Sequence, residues 1–300
     1  MKNLNIAVAG IPNAWSTEML MDALSERGVT SYIIQLSECC HDLQEHRVTW
    51  KGEDLTRLDA VVIKKIGDLD PQHVENRIVM LKALEQSGVH VISSSDAISA
   101  AVNRYRMSWL LCEAGITIPR TIVTESVEEA VSAITHFGRA VLKPLFTTKA
   151  AGMQLLSARP ELERYLYQFK KDWAGPFYLQ EFIESSGRDI AVVLLDDRII
   201  GSFCRVAAPG EWKTTTAAGG HYEPWSLDED SAQLAVKAAK TFGLAFTSVD
   251  MVKGPEAWLV YEVSAFGGFR GLWNAYEINA AELYADYVIN RINNERTKFS

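Results

Sequence analysis

The stretch Tyr178-Leu-Gln-Glu-Phe-Ile-Glu-Ser-Ser-Gly-Arg-Asp-Ile-Ala-Val-Val193 decides how this chain is read. An apolar strand ends in Glu181-Phe182-Ile183, a short loop carries Gly187, and Asp189 opens the next strand. Such a hinge can hold a flat purine against apolar side chains while backbone groups and carboxylates read its edge and ribose. Three residues elsewhere complete the pattern: Lys143 upstream, and Asp250 and Glu262 downstream. A buried lysine followed by two strand-borne carboxylates is what a magnesium-bound polyphosphate needs.

Each part also has a plainer reading. Lys143 lies in the apolar run Ala-Val-Leu-Lys-Pro-Leu, where an unpaired ammonium is costly, although a lysine at a strand edge could snorkel to water. The loop Thr147-Thr-Lys-Ala-Ala-Gly152 favours the phosphate reading, because small side chains, hydroxyls, Lys149 and a glycine let backbone amides close over an anion. Glu181 and Asp189 could be ordinary strand-end carboxylates, but their order around Gly187 favours the hinge. Asp250 and Glu262 interrupt two apolar strands joined by a turn at Gly254-Pro255. Alternation puts Glu262 and Ser264 on one face, and hairpin pairing brings Asp250 to it. Carboxylates meeting this way need a cation, and magnesium takes oxygen ligands and bridges phosphates. The alternative partner is a salt bridge to Arg205 or Lys213.

Upstream, apolar strands at Ile6–Ala9, 32–36, Ala60–Ile63 and 89–92 alternate with helical patterns, which implies a parallel α/β domain over residues 1–100. Ser16 is the expected N-cap of the first helix. A central lobe is expected over 101–176, where Ser126-Val-Glu-Glu129 forms a capping box. A strand-rich C-terminal lobe is expected over 177–300. The fold class is α/β followed by two α+β lobes.

Composition bounds the function. With 38 acidic residues against 30 basic ones, the net charge of −8 argues against a nucleic-acid partner. Four cysteines without metal-site spacing fit a reducing cytoplasm, and no apolar run reaches the roughly 20 residues that span a bilayer. The chain carries neither Gly-x-Gly-x-x-Gly after its first strand nor a Walker lysine loop.

Over most of its length the chain resembles the RimK-like ATP-grasp ligases. The resemblance rests on Asp59-Ala-Val-Val-Ile-Lys-Lys-Ile-Gly67, Ser94-Ser-Asp-Ala-Ile98, Gly115-Ile-Thr-Ile-Pro119, Val141-Leu-Lys143, Gln180-Glu-Phe-Ile183, Gly219-Gly220, Val249-Asp250 and Glu262-Val-Ser-Ala265, in that order. Gly-Ile-Pro-x-x-Trp-Ser and Lys-Pro-Leu-Phe-Thr-Thr-Lys-Ala are most similar to the ATP-grasp member of the bacterial GAK gene system. The resemblance implies an ATP-grasp fold with an N-terminal pre-ATP-grasp domain and two lobes clamping ATP and Mg2+. Arg104, Lys143, Thr147, Thr148, Lys149 and Gly152 would serve the phosphates, Glu181, Phe182 and Ile183 would line the adenine pocket, and Gln180 would also belong to the cofactor site. Asp189 would approach the ribose, Asp250, Glu262 and Ser264 would hold magnesium, and Arg205 and Lys213 would face the transferred phosphate. Three positions depart from the family: Ser264 replaces a metal-binding Asn, Arg104 replaces a Lys, and the 147–152 loop has fewer glycines.

The implied chemistry is ligation of a small-molecule or peptide carboxylate to an amine through an acyl phosphate. The rivals are an ATP-grasp phosphotransferase and an ATP-binding regulatory protein with little turnover. Trp15, Ser16 and Lys65 lie at the carboxyl ends of predicted parallel strands, and Arg270 follows the Glu262 strand. They suggest a substrate with an extra carboxylate, as glutamate has; surface charges are the plainer reading of Lys65 and Arg270. A homo-oligomer is compatible with this sequence.

Overall fold

The computed structural model describes residues 4–173 and 175–298. The chain begins with β1 (Asn5–Ala9), α1 (Trp15–Glu26) and β2 (Thr30–Ile34). A small antiparallel sheet follows, formed by β3 (Cys39–Asp42), β4 (Arg47–Trp50) and β5 (Glu53–Asp54), which had no clear periodicity in the sequence. The chain then returns to the first sheet with β6 (Ala60–Ile63), α2 (Pro71–Gln86) and β7 (His90–Ile92).

The first sheet is parallel throughout, in the order β2-β1-β6-β7. From β1 the chain crosses to one flank and from β6 to the other, so a crevice opens at the carboxyl ends of these two central strands. Open α/β sheets bind ligands at such a switch point. Helix α1 begins two residues earlier than expected: Ala14, not Ser16, is its N-cap, and no side chain among the described residues caps the helix.

Two helices, α3 (Ser95–Val102) and α4 (Arg104–Glu113), lead to an antiparallel sheet of order β10-β9-β11-β8. It is built from β8 (Thr121–Thr124), β9 (Arg139–Leu142), β10 (Gln154–Ser157) and β11 (Phe177–Glu181), backed by α5 (Val127–Phe137) and α6 (Leu162–Asp172). Ser126 caps α5 by accepting from the Glu129 amide, but the Ser126 amide bonds to Thr124 Oγ1, so Thr124 takes the reciprocal half of the expected box. Because β11 lies between β9 and β8, the central sheet runs through Glu181, past the expected boundary at 176.

The last sheet has the order β14-β13-β12-β15-β16 and is antiparallel. Its strands are β12 (Arg188–Leu195), β13 (Arg198–Val206), β14 (His221–Pro224), β15 (Phe246–Lys253) and β16 (Trp258–Val263). Helix α7 (Glu229–Phe242) lies in this segment, and α8 (Arg270–Tyr276) and α9 (Ala280–Lys298) close the chain.

The buried apolar residues divide unequally. Ala7, Val61 and Ile98 share one core with Val192, Val249 and Val260, while Val8, Val62 and Leu24 share another with Val193, Phe203 and Tyr284. The first and last sheets are therefore cemented together on both faces. The central sheet has a core of its own, centred on Ile134, Leu142, Leu166 and Phe177.

Candidate active site

A cleft of about 680 Å³ opens where the three large sheets meet. Lys143 follows β9 immediately, its amide bonded to the Tyr178 carbonyl, so the central sheet aims it inward. Its Nζ donates to Gln180 Oε1 at 2.5 Å and lies 5.0 Å from the centre of the Tyr261 ring. Gln180 Nε2 donates to Thr121 Oγ1 at 3.1 Å and to Tyr178 Oη, which orients the amide oxygen toward the lysine. Burial, with Arg104 nearby, lowers the Lys143 pKa to about 7.

The opposite wall carries the carboxylates. Asp250 and Glu262 are direct cross-strand partners on β15 and β16, as the hairpin reading required. Arg205 on β13 forks onto Asp189 (3.0 and 2.6 Å) and reaches Asp250 Oδ2 at 2.8 Å. Arg104 reaches Glu262 Oε2 at 3.2 Å and also donates to the Pro144 and Thr147 carbonyls. Each carboxylate of the pair thus has one oxygen held by a guanidinium, while Asp250 Oδ1 is buried with no hydrogen-bond partner among the described residues. Burial, with Glu262 and Asp189 nearby, raises Asp250 to about 7 despite Arg205.

Among the described residues no group of three or more His, Cys, Asp or Glu side chains could cage a metal by itself. The donor set nevertheless fits magnesium: two opposed carboxylates and an unshared buried oxygen, with the remaining oxygens left to a phosphate-bearing ligand. Ser264 also lines the cleft; its hydroxyl accepts from the Phe266 amide at 3.4 Å.

Thr148, Lys149, Glu181, Phe182, Ile183, Asp189, Lys213, Trp15, Ser16, Lys65 and Arg270 all line the same cleft. Arg104, Thr147 and Gly152 do not. Arg104, expected at a phosphate, is buried behind Glu262 instead. The Thr147 hydroxyl is buried without a hydrogen-bond partner among the described residues, and Gly152 packs so close to Pro144 that a Cβ would lie 3.0 Å from the Pro144 ring. Arg205 is committed to two carboxylates, and Asp189 to Arg205, so the expected salt-bridge alternative is realised for Asp250. Lys213 lies over Trp212, and Arg270 stacks on Trp15 with its guanidinium 4.8 Å from the ring centre.

Sequence reasoning missed Lys64, Thr17, Tyr261 and Trp212. Strand alternation turns Tyr261 away from the face of Glu262. A bulge makes it the extra residue between the Asp250–Glu262 and Met251–Val260 pairs, and it faces the cleft. Lys64 is buried against Phe269, 3.8 Å from its ring centre, and donates to the Gly267 carbonyl. Its only signal was its position beside Lys65, and Trp212 gave none.

Seven cationic and four carboxylate side chains line the cleft in a protein whose net charge is −8. The excess of positive charge is therefore local and faces the ligand space. The order of parts matches known proteins along the whole chain. Residues 101–288 match the RimK-like ATP-grasp domain, and residues 4–98 the RimK PreATP-grasp domain. The tetrahydromethanopterin:alpha-L-glutamate ligase of Methanosarcina acetivorans is 29% identical over 97% of this chain and 99% of its own. A probable alpha-L-glutamate ligase of Cellvibrio japonicus is 28% identical over 91% of each chain. The fold is that of the ATP-grasp ligase PsnB complexed with minimal precursor (TM-score 0.75, 20% identity, 97% of this chain and 99% of that one). These matches, spanning both the parallel domain and the two-sheet clamp, make the chain a member of the RimK-like ATP-grasp ligase family.

Proposed function

We propose that the protein is a magnesium- and ATP-dependent carboxylate–amine ligase that adds glutamate or a similar amino acid to a small molecule or peptide. The observation that carries this reading is the arrangement across the cleft. The unshared Asp250 Oδ1 and its partner Glu262 form one wall, and the ammonium of Lys143, which has no carboxylate partner among the described residues, projects from the other. The names of the glutamate-ligase relatives support the amine class.

In this reading Glu181 to Ile183 receive the adenine, Lys143 contacts phosphate oxygens, and Gln180 holds Lys143 in place. Asp250 and Glu262 would hold magnesium, which supplies charge neutralisation between phosphate oxygens when bound. Arg205 keeps Asp189 and Asp250 aligned. An oxygen of the substrate carboxylate accepts the γ-phosphoryl group, ADP leaves, and the amine nitrogen then attacks the acyl carbon. Phosphate departs and the nitrogen loses a proton. No covalent nucleophile of the protein is needed, because positioning and charge neutralisation supply the rate. The loop around Thr147 to Gly152 would exclude water from the acyl phosphate.

The test is phosphate release from ATP across L-glutamate and other amino acids, each paired with small carboxylates or peptides. A ligase releases phosphate only when both substrates are present. ADP formation with a carboxylate alone, without phosphate release and unaffected by any amine, would identify a phosphotransferase instead.

A further inference from the structure

The switch crevice between β1 and β6 holds polar groups that nucleotide binding does not use. Ala14 caps α1 and has no side chain with which to accept from the first-turn amides. The Thr17 and Glu18 amides turn back to the Ala14 carbonyl, at 2.8 and 3.1 Å, and those of Trp15 and Ser16 have no acceptor among the described residues. Beside them, Thr17 is 1% exposed, lines the cleft, and its Oγ1 has no hydrogen-bond partner among the described residues. A buried hydroxyl without a partner costs free energy unless a ligand or solvent completes it.

Lys64 and Lys65, at the end of β6, line the same cleft. The amides of Lys64 and Lys65 both donate to the Ala9 carbonyl, at 2.8 and 2.9 Å, so the end of β6 is folded directly against the loop that leads into α1. Lys64 spends its Nζ on Gly267, whereas Lys65 makes no ion pair among the described residues. Its pKa is lowered to about 8 by burial and by Lys149, as expected of an ammonium awaiting an anion. Helix N-termini favour anions through both their amides and their dipole.

We infer that the N-terminal turn of α1, with the Thr17 hydroxyl and the Lys65 ammonium, is an oxyanion subsite. It receives a carboxylate or phosphate group of the substrate remote from the reacting centre. The inference rests on the ligase reading for the identity of that substrate, but not for the existence of the subsite. It makes Thr17 a specificity-determining residue.

Calorimetry on the full chain with Mg2+ and AMPPNP present tests it, with L-glutamate, L-glutamine and inorganic phosphate as probes. Two variants report on the subsite. Thr17→Val removes only the hydroxyl, and Ala14→Asp introduces a capping carboxylate that competes for the free amides. L-glutamate is expected to bind the wild type at least tenfold more tightly than L-glutamine. Thr17→Val should weaken it about tenfold, and Ala14→Asp should weaken it further while raising the melting temperature. Phosphate binding with the same response to both variants, without glutamate binding, would support the subsite and assign it a phosphate group. Unchanged probe affinity in both variants, or no binding of either anion to the wild type, would overturn it. AMPPNP affinity is read in the same titrations, so failure of the nucleotide reading appears separately.

Discussion

The two walls of the cleft treat charge in opposite ways. On the last sheet, Asp189, Asp250 and Glu262 are met by Arg205 and Arg104 through ion pairs of 2.6 to 3.2 Å. On the other side, Lys64, Lys65 and Lys143 are held by a backbone carbonyl, an aromatic face and an amide oxygen, with no carboxylate in contact among the described residues. The carboxylate wall is largely preformed, with one oxygen in reserve. The lysine wall has no matching anion among the described residues, and burial lowers the pKa of all three ammonium groups. A cleft built this way has its carboxylate side already paired and leaves its lysine side open.

The largest expected effect comes from breaking the lysine wall. Lys143→Met should weaken ATP roughly a hundredfold, since a desolvated charge-assisted contact is worth about 3 kcal/mol. Calorimetry showing unchanged ATP affinity would remove Lys143 from the phosphate site. On the carboxylate wall, Asp250→Asn should abolish turnover and the dependence of ATP binding on magnesium, while changing ATP affinity by less than about tenfold. A variant that still needs magnesium would move the metal elsewhere.

Titration separates the walls without any substrate. Lys143 folds with a pKa of about 7 against an ordinary 10.5, so the unfolded chain binds more protons between those values and apo stability gains as pH rises from 7 to 10. Asp250 folds with a pKa of about 7 against 3.8, so its contribution to stability is lost as pH rises from 4 to 7. Melting temperatures should show the upper limb flattened in Lys143→Met and the lower one in Asp250→Asn. Parallel curves for wild type and both variants would show that neither group is perturbed.

The smallest effect concerns the central lobe, whose core is its own. Lys149 and Ala150 both have φ of +55° and Gly152 of +69°, so the loop over the lysine wall bears consecutive left-handed residues and few apolar anchors. Hydrogen exchange across 147–152 should slow several-fold with AMPPNP and magnesium. Equal rates with and without nucleotide would rule out a closing loop.

Much of this was legible beforehand because it depends on local pattern. The β–α alternation of the first hundred residues and the Asp250–Glu262 hairpin follow from residue type and spacing. Charges set in apolar strands pointed to Lys143, Asp250 and Glu262 for the same reason, since such placement is costly without a partner. The partners themselves were not legible. Arg104 ends on Glu262, which is 158 residues away, and Arg205 ends on two carboxylates of neighbouring strands. Strand β11 joins the central sheet, and a single bulge turns Tyr261 into the cleft. Sequence alone determined which residues carry the charge and which strands bear them, because hydrophobic periodicity and side-chain chemistry are properties of short segments. Tertiary structure alone decided which charges neutralise one another and which await a ligand, because ion pairing depends on distances of a few ångströms between segments far apart in the chain.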